Sequence, residues 1–163
     1  MPVQAIEEIT INGPQLIADQ HMLRHPQGSM AAQYSAPFIV GATLAYGPQR
    51  YDAYGNDFLG DTAILDIAQK VRFELSEELT RKYYPGRFAT GVRLRLHDGS
   101  ERCSVVVDSV GTPRKQLTRQ QILEKGHGLA EGARRGERLQ ACIWDGDQGG
   151  RALAHALTQR PPR

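Results

Sequence analysis

From Ala36 to Tyr46 the chain reads Ala-Pro-Phe-Ile-Val-Gly-Ala-Thr-Leu-Ala-Tyr, apolar at nearly every position and closed off by Gly47-Pro48. Phe38, Ile39, Val40, Ala42, Leu44 and Ala45 leave almost no polar face, so a helix buried on most of its sides is predicted. The run is too short to cross a bilayer, which takes about 20 apolar residues. It is a core helix, and other elements must cover it. With 163 residues and 40% hydrophobic content, the chain has material for one domain with a real core and an appendage. The start of the helix has two readings. If Ser35 is the N-cap, Pro37 falls in the first turn, where its missing N–H costs little; if the helix begins near Ser29, Pro37 should kink it.

The covering elements can be read on both sides. Residues 3 to 11, Val-Gln-Ala-Ile-Glu-Glu-Ile-Thr-Ile, favour a strand that Asn12-Gly13-Pro14 should break. The following fifteen or so residues carry no clear period and read as a long connection, of the kind that is functional or mobile in compact domains. Arg50 to Gly60 reads as an ordered loop. Asp61 suits the N-cap of a short helix with Ile64, Leu65, Ile67 and Ala68 inward, and Val71, Phe73 and Leu75 alternate with Arg72 and Glu74 as a half-buried strand. Ser76, Glu77 and Glu78 start another helix, ended by Tyr84-Pro85-Gly86.

The sharpest local signal is a hairpin. Val92, Leu94 and Leu96 alternate with Arg93, Arg95 and His97, Asp98-Gly99 suits a type I′ turn, and Cys103, Val105 and Val107 are expected to continue the apolar face on the far strand. Thr118 to Gln121 fits a capping box, opening a helix with Ile122, Leu123 and Leu129 that Gly126, Gly128 and Gly132 weaken. Further helical pieces are expected around residues 139–144 and 151–157. The fold class is α+β: a hairpin-containing sheet packed on helices over residues 1–125, then a helical C-terminal tail over 126–163. Its core is predicted to hold Phe38, Ile39, Val40, Leu44, Ile64, Leu65, Val71, Phe73, Val92, Leu94, Leu96, Val105 and Val107.

Several function classes find no support. A net charge of +2, from 20 basic and 18 acidic residues, makes no case for nucleic acid or a membrane as partner. Cys103 and Cys142 have neither C-x-x-C spacing nor a nearby histidine cluster, which speaks against a disulfide framework and a zinc site. His21, His97, His127 and His155 are scattered and read as surface residues. Asp145-x-Asp147 lacks the later acids of an EF-hand loop, with Ala156 where the bidentate glutamate belongs. Ser104 and Ser109 have no G-x-S-x-G context. The N-terminus has neither a basic n-region nor an apolar h-region, and a cytoplasmic address is the expectation.

The stretch Pro26-Gln-Gly-Ser-Met-Ala-Ala-Gln-Tyr-Ser-Ala-Pro-Phe38 fits the pattern P-x-x-x-x-x-A-Q-F/Y-S-x-P-F/Y and resembles the loop that opens the first helix of the lid domain in the MmgE/PrpD family. The likeness continues through Ile67-Ala-Gln-Lys-Val71, the Leu96-His-Asp-Gly99 hairpin, Gly111-Thr-Pro and Leu117 to Lys125. Gln116-Leu117-Thr118 departs from the family's Pro-Leu-Ser, and Gly126 stands where an aromatic anchor is common. The resemblance implies a lid domain with a C-terminal tail, lacking the large helical domain and the lysine and histidine that precede the first strand. It also implies a lyase or isomerase related to 2-methylcitrate dehydratase and cis-aconitate decarboxylase, working on tricarboxylates without metal or other cofactor. On this basis the chain is expected to be a C-terminal fragment or split subunit that is active only with a helical-domain partner chain. The alternative is a non-catalytic remnant or self-associating module, with a homo-oligomer as its partnership.

Elimination chemistry on a carboxylate substrate needs a proton-transfer group and cationic or hydrogen-bonding groups for the carboxylates. The resemblance points to the loop that carries Arg24, His25, Gln33, Tyr34 and Ser35. Arg24 could clamp a carboxylate bidentately, His25 or Tyr34 could move a proton, and Gln33 and Ser35 could bind substrate. Each also has a structural reading: an exposed loop histidine before a proline for His25, helix capping for Gln33 and Ser35, and a core ring with its hydroxyl at the boundary for Tyr34.

Overall fold

The computed structural model describes residues 2–48 and 50–129, with the backbone alone at His127. The helical pieces expected near 139–144 and 151–157 lie outside the described residues. The chain divides into two compact units, the first ending at Lys115 and the second beginning at Gln116.

The first unit is built on a mixed four-stranded sheet in the order β2-β1-β3-β4. Strand β1 (Ile6–Gly13) lies in the middle, parallel to β2 with Ile9 opposite Val71, and antiparallel to β3 with Ile11 opposite Val92. Two boundaries differ from the sequence reading. Val3–Ala5 form a 3₁₀ turn, closed by Ala5 N–H on the Pro2 carbonyl at 3.1 Å. Asn12 and Gly13, expected to break the strand, stay in it because neighbours hold them on both sides: Asn12 is opposite Glu74 and Gly91, and the Gly13 carbonyl accepts from Ser76 N–H at 3.0 Å. Tertiary pairing overrides the local preference of these two residues.

A short helix α1 (Leu16–His21) occupies part of the segment read as a connection. At six residues it is too short to show a period. Both proposed starts of the core helix are realised, as two helices: α2 (Ser29–Gln33), an interruption at Tyr34, and α3 (Ala36–Tyr46). Ser35 caps α3, accepting from Phe38 N–H at 3.0 Å, and Pro37 sits in the first turn. Gly47 closes α3 with φ +91°, a conformation that glycine adopts without cost.

Helix α3 is covered on two sides. Val40 and Leu44 pack on the sheet cluster of Ile6, Ile9, Ile11, Ile67, Val71 and Leu96, while Phe38 and Ala42 join Ile64, Ala32 and Ala53 in a second cluster. The second cluster depends on close approach. A Cβ on Gly41 would lie 2.4 Å from the Ile64 carbonyl oxygen of α4 (Thr62–Gln69), so only glycine lets the two helices meet there. Asp61 caps α4 through Ile64 N–H at 3.1 Å, and α4 leads into β2 (Val71–Leu75). Ser76 caps α5 (Glu77–Tyr83) through Leu79 N–H at 3.2 Å.

The hairpin of β3 (Thr90–Leu96) and β4 (Glu101–Val106) forms with a longer turn than expected. Leu96 N–H donates to the Ser100 carbonyl and Gly99 N–H to the Leu96 carbonyl, both at 2.9 Å, so the loop holds His97, Asp98 and Gly99, with Gly99 at φ +82°. One extra turn residue reverses the parity of the far strand. Val92 and Leu94 now face Ser104 and Arg102, while Cys103 and Val105 lie opposite Arg93 and Gly91 on the other face. The expectation that Cys103 and Val105 continue the apolar face is therefore corrected. All six residues of β4 are exposed, Val105 by 57%, and Val107 is half-buried beyond the strand end. The other members of the predicted core are buried or half-buried.

In the second unit, helix α6 (Arg119–Leu129) starts as predicted. Thr118 Oγ1 accepts from Gln121 N–H at 3.2 Å and Gln121 Oε1 accepts from Thr118 N–H at 2.9 Å, a reciprocal capping box. No helix among the described residues is long and apolar enough to cross a membrane.

Candidate functional site

Residues 22–35, between α1 and α3, carry all five residues singled out from the sequence. Two of them fasten the segment. Arg24 Nη2 donates to the Val71 carbonyl at 2.7 Å at the start of β2, and its Nε is buried without a partner. Ser35, 1% exposed, donates its hydroxyl to the Leu23 carbonyl while accepting the α3 cap bond. Both of these Ser35 bonds stay within its own chain, so its hydroxyl shapes the segment and is not presented at its surface.

The other three are presented outward. His25 is exposed, its Nε2 2.6 Å from Gln69 Nε2 at the end of α4; an amide NH₂ donates, so the ring nitrogen accepts. Gln33 is exposed at the end of α2, and Tyr34, in the interruption, is 61% exposed. Gln33 and Tyr34 line a groove of about 380 Å³ whose apolar wall includes Ile17, Ile39, Val40 and Val92. Arg24 and His25 are not among its lining residues, and stand instead beside Gln69 and Val71. Four of the five candidates thus form two pairs along one segment, Arg24 with His25 and Gln33 with Tyr34, and Ser35 lies buried between Leu23 and Phe38.

His21 also lines the groove. At the end of α1, its Nδ1 lies 3.1 Å from the Tyr34 carbonyl oxygen and its ring stacks on the Tyr34 ring, with centroids 6.2 Å apart and planes 16° from parallel. From the sequence His21 reads as a surface residue, and no spacing pattern marks a contact between positions thirteen apart on separate helical elements. Among the described residues no three His, Cys, Asp or Glu side chains are grouped so as to hold a metal ion.

Ionisable pairs elsewhere serve the fold. Arg87 Nε donates to Asp108 Oδ1 at 2.9 Å and Nη2 to Oδ2, beside a cleft of about 250 Å³. The bond from Arg87 holds the Asp108 carboxyl below its usual range. Tyr46 donates to Asp61 at 2.6 Å, which raises the phenol and lowers the carboxyl.

The segment is fastened to the sheet and to α3, with His25, Gln33 and Tyr34 exposed. Residues 2–144 match the model for the MmgE/PrpD C-terminal domain. The chain belongs to the MmgE/PrpD family. No curated protein matches it. MmgE/PrpD proteins are lyases acting on tricarboxylates, and this domain is normally paired with an N-terminal domain. The MmgE/PrpD match covers all of residues 22–35 and all four strands.

Proposed function

We propose that this domain forms the lid side of a lyase site for small tricarboxylates and turns over substrate only when a helical domain, on this polypeptide or another, completes the site. Arg24 and Gln33 bind carboxylates, His25 or Tyr34 moves the proton, and Ser35 holds the segment in shape. What carries the reading is the mode of attachment: Arg24 and Ser35 fasten the segment while His25, Gln33 and Tyr34 remain exposed. Leu23 and Met30, exposed by 50% and 69%, give the same segment apolar surface for a second domain.

The elimination needs several groups held together in one geometry, and losing one costs orders of magnitude in rate. The test combines the purified chain with an MmgE/PrpD helical domain and follows 2-methylcitrate and cis-aconitate. Turnover is expected in the mixture and not with the chain alone. Arg24→Ala, His25→Ala and Tyr34→Phe are expected to lower it, and Ser104→Ala to leave it unchanged. A complex that forms without turnover would favour the non-catalytic reading, and self-association without complex formation the assembly module.

A further inference from the structure

We infer that His21 is the positioning residue for Tyr34, setting both the backbone and the ring of that exposed tyrosine at the groove. The inference rests on the lyase reading above. Tyr34 sits where α2 ends and α3 has not begun, so its carbonyl has no helical partner. A carbonyl can only accept, so the 3.1 Å contact makes His21 Nδ1 the donor. That assignment leaves Nε2 as the nitrogen with an open lone pair in the neutral ring.

The ring of Tyr34 is held by the same residue. At 61% exposure, and with no hydrogen bond to its hydroxyl among the described residues, it would sample several rotamers if nothing flanked it. The His21 ring lies against it nearly parallel, 6.2 Å between centroids. Two contacts from one side chain therefore fix the peptide and the plane of the phenol. A proton-transfer group gains rate from being held in place before substrate arrives, and a displacement of about 1 Å can cost about 100-fold. His21 itself is held by α1, whose Ile17 packs against the sheet cluster.

The test uses His21→Ala, His21→Asn and His21→Phe. In the complex with a helical domain, His21→Ala is expected to lower kcat by about 10- to 100-fold with KM within about twofold, because placement of the phenol is lost and carboxylate binding is not. His21→Asn, whose amide N–H can reach the Tyr34 carbonyl, should recover most of the rate, and His21→Phe, which keeps only the stacking, a smaller part. In the full chain alone, the NMR signals of the labelled Tyr34 ring should move in His21→Ala and less in His21→Phe. An unchanged kcat, a loss confined to KM, or Tyr34 signals that do not respond would overturn the inference. If no mixture turns over substrate, the lyase reading fails and the NMR comparison alone decides whether His21 holds Tyr34.

Discussion

Replacing Ser35 by alanine should loosen the segment that carries the site, although the hydroxyl bonds only to its own chain. The substitution removes the cap on α3, where Phe38 N–H is buried, at a cost of about 1–2 kcal/mol. It also removes the donor to the Leu23 carbonyl, a further ~0.5–1.5 kcal/mol. Together these give about 1.5–3.5 kcal/mol. In a folded unit of this size each kcal/mol moves Tm by roughly 3–5 °C, so a fall of about 5–17 °C is expected. Circular dichroism during urea and thermal unfolding would measure it. Ser35→Asp tests the donor: aspartate caps a helix well but cannot donate to the Leu23 carbonyl and places a charge at a site 1% exposed, so it should be destabilised at least as much as the alanine variant, whereas a role in capping alone would leave it near wild type. An alanine variant within 0.5 kcal/mol of wild type would refute the reasoning.

Gly41→Ala should cost about 3 kcal/mol in the same unfolding assay, since the Ile64 carbonyl 2.4 Å from the new Cβ is backbone and cannot turn away. Val105→Thr is expected to change stability by less than about 0.5 kcal/mol, against about 2–5 kcal/mol for Ile9→Ala; a large loss at Val105 would contradict the hairpin register. The Asp108 carboxyl is held below its ordinary value by Arg87, so its contribution to stability is present above about pH 4 and lost as the pH falls through the lowered folded value. Asp108→Asn should therefore lower stability at neutral pH and flatten its decline in acid, and identical pH profiles for the two proteins would exclude that role.

Where a structural decision depends on residues a few positions apart, the chain announces it. Asp61, Ser76 and Thr118 each cap the helix expected of them, because the bond from a side-chain oxygen to a backbone N–H two or three residues on is local chemistry. Asp98-Gly99 was less decisive. The pair suits a two-residue and a three-residue loop equally, yet the difference moves Cys103 and Val105 to the opposite face. Arg24, His25, Gln33, Tyr34 and Ser35 could be gathered from the sequence because they share one segment. That Arg24 reaches Val71, and that His21 holds Tyr34, depends on how separate elements are brought together, for which single-chain periodicity carries no signal.

The central place of β1 in the sheet has a consequence for synthesis. The strand is synthesised before both of its neighbours, and Ile9 waits for Val71 and Ile6 for Leu96. Until β2 and β3 have been made, this isoleucine-rich strand has both edges open, which is when a nascent chain is most exposed to wrong pairing. Such long-range partnering slows folding through the entropy of closing large loops. The segment that ends up most deeply enclosed is therefore the one most dependent on chaperones during translation, and slowing elongation ahead of β3 should lower the soluble yield.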